Sequence, residues 1–117
     1  MLLIIPLSSS VSVGEVRYRS LGCWKVDPDV DVPTFAIDLS QKVNSVELCS
    51  DKAKAEGYQL FTVQNGGWCT GISNKTKYER FGAATTCRNG KGGPWANDVY
   101  EVDGENYYEL FTNIWKN

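Results

Sequence analysis

Two glycine-rich segments carry most of the side chains in this chain that can recognise a ligand. One is Val63-Gln64-Asn65-Gly66-Gly67-Trp68-Cys69; the other runs from Gly90 through Gly93-Pro94-Trp95-Ala96-Asn97-Asp98-Val99 to Tyr100. Each sets a tryptophan after glycines and keeps amides or a carboxylate close by. An exposed indole stacks on the apolar face of a sugar ring while neighbouring amides and carboxylates bond its hydroxyls. On this reading Trp95 stacks, Asn97 and Asp98 bond hydroxyls, and Asn65 helps from the side. Trp68, next to Cys69, and Tyr100 act as supports. A plainer reading stands beside it. Both indoles can pack in the core, Asn65 can hold its own turn, and Asn97-Asp98 can brace the loop by accepting backbone amides.

Other chemistry fits the residues poorly. The chain has no histidine, which removes Ser-His-Asp and Cys-His catalysis and the usual imidazole metal sites. Cys23, Cys49, Cys69 and Cys87 contain no CxxC pair, whereas four-cysteine zinc sites bring their ligands in close pairs. Disulfides suit the spacing better. Calcium takes about six to eight oxygens, more than Asn97 and Asp98 supply. Asp27, Asp29 and Asp31 form an oxygen-rich strip that fits a solvated surface better than a metal site. Gly90-Lys91-Gly92-Gly93 lacks the order of a phosphate loop; close backbone packing ahead of Pro94 explains it better. Glu47 and Asp51 share a helix face as ordinary surface residues do, and Asp98, Glu101 and Asp103 give no separated carboxylate pair across a cleft. The expectation is a binding module with no metal, no cofactor and no enzymatic activity.

Composition sets the frame for that module. The chain has 117 residues, 42% hydrophobic and 22% charged, which suits one domain with its own core. Its 12 basic and 14 acidic residues give a net charge of −2. No basic tract exists to neutralise a phosphate backbone, so nucleic acid is not an expected partner. Residues 1–12, opening Met-Leu-Leu-Ile-Ile-Pro-Leu, read as an N-terminal extension or the remnant of a signal peptide, with one recognition domain over 13–117. No stretch approaches the roughly 20 apolar residues that cross a bilayer. The cysteines point to an oxidising, extracellular setting, in which Asn74-Lys75-Thr76 is an N-glycosylation acceptor.

The elements that must position these residues can be placed along the chain. Alternation predicts a strand over about Val13 to Leu21, leading into Gly22-Cys23-Trp24. The proline- and aspartate-rich 26–33 reads as an irregular connection. Asn44 to Glu56 is the clearest helix, with Asn44 and Glu47 spaced for a capping box. Val46, Cys49 and Ala53 share its inner face, widened by Leu48, and Gly57 ends it. Strand composition follows over Tyr58 to Val63, with both faces partly covered. Asn65-Gly66-Gly67 turns the chain, and Trp68-Cys69-Thr70 extends again. Residues 71–86 read as irregular, anchored by Tyr78 and Phe81. Two late strands, 99–102 and 107–115, flank a turn at 103–106. The result is an α+β fold, one helix on a small antiparallel sheet with two disulfides. Four cysteines allow three pairings. The helix-then-strand order favours Cys49 with Cys69, closing a loop of about 20 residues, and leaves Cys23 for Cys87.

Gly22-Cys23-Trp24, Cys49, Gly57-Tyr58, 61–69, Tyr78, Cys87 and 90–100 together resemble WSC-like modules, over roughly 21–102. The resemblance implies a helix-and-sheet core similar to PAN or apple modules, and secretion, often within multidomain invertebrate proteins. It also implies carbohydrate binding. The chain carries four cysteines, fewer than fuller modules of that group. The expected partner is an extracellular glycan or glycoprotein. The alternative is a protein-binding or matrix module that meets a matrix or cell-surface protein without taking sugar.

Overall fold

The computed structural model describes residues 18–26, 35–73 and 76–103. The strands are β1 (Tyr18–Lys25), β2 (Phe35–Asp38), β3 (Leu60–Gln64), β4 (Trp68–Ile72) and β5 (Ala96–Val102), with α1 (Ser45–Ala55) between β2 and β3. They form one five-stranded sheet in the order β1-β5-β3-β4-β2, antiparallel at every junction. The fold is therefore α+β, a single described helix on an antiparallel sheet closed by two disulfides.

The helix ends where its sequence says it should, although its start is held differently. At the C-terminus Gly57 takes φ 86°. Its N–H donates to the Lys54 carbonyl at 3.1 Å and the Tyr58 N–H to the Ala53 carbonyl at 2.8 Å. This is the Schellman pattern, which satisfies carbonyls the helix leaves unpaired. The expected capping box does not form. Asn44 occupies the cap but its side chain makes no cap hydrogen bond, and the Glu47 carboxylate instead accepts the Tyr18 hydroxyl at 3.2 Å. A partner from a distant strand has taken the side chain that local spacing assigned to the cap.

Val46, Cys49 and Ala53 face the sheet as expected, but Ser45 and Ser50 complete the buried face and Leu48 is only half-buried. The reason is the bridge between Cys49 and Cys69, which sets their Cα atoms 5.6 Å apart. A helix drawn that close to a strand accepts small residues along its inner edge. Beneath it, Phe61 and Tyr100 stack with centroids 5.0 Å apart, and Tyr18 meets both rings edge-on at 5.9 and 5.3 Å. Each such pair contributes about 0.5–1.5 kcal/mol beyond area burial.

Leu60, Thr62, Thr70 and Val99 are buried on the opposite sheet face, so both faces are covered, and the Thr62 and Thr70 hydroxyls bond each other. Strand β2 is not among the elements the sequence predicts. Its Phe35 ring lies over Gly71, where any Cβ would collide with it, and packs 5.5 Å from Tyr58. Gly71 and Ile72 accordingly extend β4 rather than begin an irregular stretch. Within 76–86, Ala83 bridges to Trp24, and Tyr78 packs edge-on against Trp24 at 5.7 Å. The Phe81 ring meets the neighbouring Arg80 guanidinium at 5.0 Å. The described residues of strand β1 are Tyr18–Lys25. The expected strand residues 13–17, the 107–115 strand, the 1–12 extension, Asn74 and Asp27, Asp29 and Asp31 lie outside the described residues.

Candidate functional site

Two turns meet at one end of the sheet. The first joins β3 to β4: Asn65 and Gly66 take φ 52° and 93°, and the Gly67 N–H donates to the Gln64 carbonyl at 3.1 Å. The second precedes β5, where Gly93 and Ala96 exchange N–H···O bonds of 3.1 Å around Pro94-Trp95. Trp95 sits there at φ 50°, a left-handed conformation that costs a bulky residue about 1–2 kcal/mol. It is 61% exposed. The Gly66 N–H donates to the Lys91 carbonyl at 2.8 Å and so docks the second glycine segment on the first turn.

Register then determines which side chains share a face. Directly paired residues point the same way and successive residues alternate. The terminal row on the face away from α1 is Trp24, Asn97, Gln64, Trp68 and Asp38, one residue from each strand. Trp68 lies between Gln64 and Asp38 and is 42% exposed. The Asp38 Oδ1 accepts the Ser40 N–H at 2.9 Å; the Ser40 side chain and amide hold this carboxyl below its ordinary pKa. At the other end, the Trp24 indole N–H donates to the Leu21 carbonyl at 2.8 Å. Asn97 Oδ1 is buried without a hydrogen-bond partner.

The adjacent row, on the helix face, is Cys23, Asp98, Val63, Cys69 and Ile37. Asp98 is only 8% exposed, and its Oδ2 accepts the Gly92 N–H at 2.8 Å. Two residues on, Tyr100 donates its hydroxyl to the Gly90 carbonyl at 2.5 Å. Burial first, then the Asp98 carboxylate, Tyr18 and Glu47, push that phenol above its ordinary pKa. Asp98 and Tyr100 therefore fasten the glycine segment from below. The glycines are needed for this: a Cβ on Gly92 would strike the Val63 carbonyl and Gln64 Cα, and one on Gly93 the Thr86 carbonyl.

The sequence-derived candidates thus divide. Trp68 and Asn97 share the terminal row, Asn65 sits in the turn directly after Gln64, and Trp95 projects from the neighbouring corner. Asp98 and Tyr100 lie on the other face, inside the domain. Gln64 and Asp38 are not among the candidates the sequence marks. The hairpin spacing, which pairs Gln64 with Trp68, was a usable signal for the first; nothing local marked Asp38.

No protein-family model matches the chain, and no curated protein matches it. All four cysteines are paired, Cys23 with Cys87 and Cys49 with Cys69. Among the described residues no helix is long and apolar enough to cross a membrane. The disulfides are consistent with an extracellular protein.

Proposed function

We propose that this domain is a secreted, WSC-like glycan-recognition module whose contact surface is centred on Trp68. The observation that carries the reading is the half-exposed indole flanked in register by the Gln64 amide and the Asp38 carboxylate. Neighbouring strands lie about 4.8 Å apart, a spacing at which one sugar ring on the indole reaches polar groups on both sides. Gln64 donates and accepts, and Asp38 accepts from hydroxyls. Asn97 continues the row, Asn65 borders it, and Trp95 offers a second indole at the corner. Asp98 and Tyr100 serve by holding the loop that carries Trp95.

A glycan array probed with the oxidised protein tests this, followed by Trp68→Ala and Gln64→Ala on any hit. Binding that both substitutions weaken sustains the reading. No binding across a broad array, at high protein concentration and in a multivalent format, overturns it. The protein-binding alternative has its own support in the same two exposed tryptophans, a residue type enriched at protein interaction hot spots. Capture of a matrix protein that Trp95→Ala abolishes would favour it.

A further inference from the structure

We infer that Cys23, Cys87 and Asp98 form a latent site for a thiophilic divalent cation, zinc or cadmium, that opens when the Cys23–Cys87 bridge is reduced. Among the described residues this is the one group of three metal-capable side chains, with ligand atoms all within 4.8 Å of one another. Ligands around one tetrahedral zinc ion sit roughly 3.5–4 Å apart, given metal–ligand lengths of about 2.0–2.3 Å, so small side-chain rotations suffice. Asp98 is a buried carboxylate with an oxygen within 4.8 Å of both sulfurs, and the Gly92 N–H donates to its Oδ2, as outer hydrogen bonds do for metal ligands. The site lies on the opposite sheet face from Trp68 and acts independently of sugar contact.

The two bridges differ in what surrounds them. Cys49 and Cys69 are both 0% exposed, while Cys23 and Cys87 are half-buried and within reach of a reductant. A phosphine breaks the S–S bond, and with one water gives the phosphine oxide and two thiols. A divalent cation takes two thiolates and the carboxylate, and two protons leave to solvent. Solvent completes the fourth position. The cation then replaces the covalent staple between β1 and the segment leading to Trp95. Because it binds only the reduced form, it also favours reduction of this bridge.

The full chain, treated anaerobically with limiting phosphine, provides the test. Alkylation and mass spectrometry establish which cysteines have opened, and cadmium is titrated while thiolate-to-metal charge-transfer absorption is followed. The expected result is one ion per chain with the absorption of two thiolates. Asp98→Asn, which keeps an acceptor for Gly92, binds about tenfold or more weakly. The inference is overturned by no absorption, unchanged affinity in Asp98→Asn, both bridges opening together, or loss of the folded near-ultraviolet signature on reduction. It also falls if Cys23→Ser/Cys87→Ser binds the ion equally well. Should Asp98→Asn not fold, cobalt bound to the unsubstituted chain decides. A tetrahedral two-thiolate spectrum sustains the site; an octahedral one overturns it.

Discussion

Asn97 and Asp98 are consecutive residues of β5 whose side chains leave the sheet in opposite directions. Asn97 joins Trp24 and Gln64 on the face away from the helix; Asp98 meets Cys23 and Val63 on the helix face. One dipeptide therefore serves two tasks. The amide belongs to the row that carries the exposed Trp68, and the carboxylate braces the glycine segment from inside. Strand geometry prevents both from touching one small ligand on one face.

Removing the brace should cost stability. Asp98→Ala leaves the Gly92 N–H without the carboxylate that accepts it at 2.8 Å, and a buried unsatisfied amide costs about 1–3 kcal/mol. Denaturant unfolding of the oxidised protein should show that loss, with Asp98→Asn losing less. Equal stability for all three chains would mean the bond contributes nothing.

Two glycines should respond differently to the same substitution. Gly66 has open space where a Cβ would go, whereas Gly92 has backbone from β3 there, and both take positive φ. Gly66→Ala should lose about 1–2 kcal/mol from conformation alone. Gly92→Ala should lose more, about 2–3 kcal/mol, because a clash is added. Thermal or chemical unfolding of the pair measures the difference.

Trp95 offers a separation of stability from binding. Its φ of 50° suits asparagine better than an indole, so Trp95→Asn should be as stable as the parent or up to about 1 kcal/mol more so. If the exposed ring contributes to recognition, the same substitution weakens binding. A stable variant with undiminished binding would remove Trp95 from the site.

The buried phenol of Tyr100 makes stability fall at high pH. Its folded pKa is raised, so the neutral form is favoured in the native state. That contribution is complete below the ordinary phenol value of about 10 and is lost as pH rises beyond it. Tyr100→Phe should unfold less steeply above that pH, while losing about 1 kcal/mol at neutral pH with the hydroxyl bond to Gly90. Unfolding curves at neutral and alkaline pH check both halves.

For the platform itself, Trp68→Ala should reduce affinity for any glycan hit by up to about tenfold, since an aromatic contact contributes roughly 0.5–1.5 kcal/mol beyond its buried area. Its exposed position means unfolding free energy should change by less than about 0.5 kcal/mol. Isothermal titration and denaturation together distinguish a contact from a support.

Local signals were readable wherever short-range rules governed. Gly57 after an amphipathic run located the helix end, and Asn65-Gly66-Gly67 located the hairpin turn. The long segment at 71–86 was harder, because Ile72 and Ala83 take extended positions through partners far away in sequence. The Asn44–Glu47 spacing misled for the same reason: Tyr18 reached Glu47 across the fold. Strand β2 has four residues and an edge position, too short to show a period.

By itself the sequence determined the class of domain: an α+β core, sulfur pairs in place of a metal knuckle, no histidine chemistry, and glycine segments built for close approach. It also favoured the cysteine pairing that the fold adopts. Only the tertiary structure decided that Trp68 stands between Gln64 and Asp38, and that Asp98 points inward. Composition records which side chains exist, but the face a strand residue takes depends on the strand's partner and register, which contacts distant in sequence set.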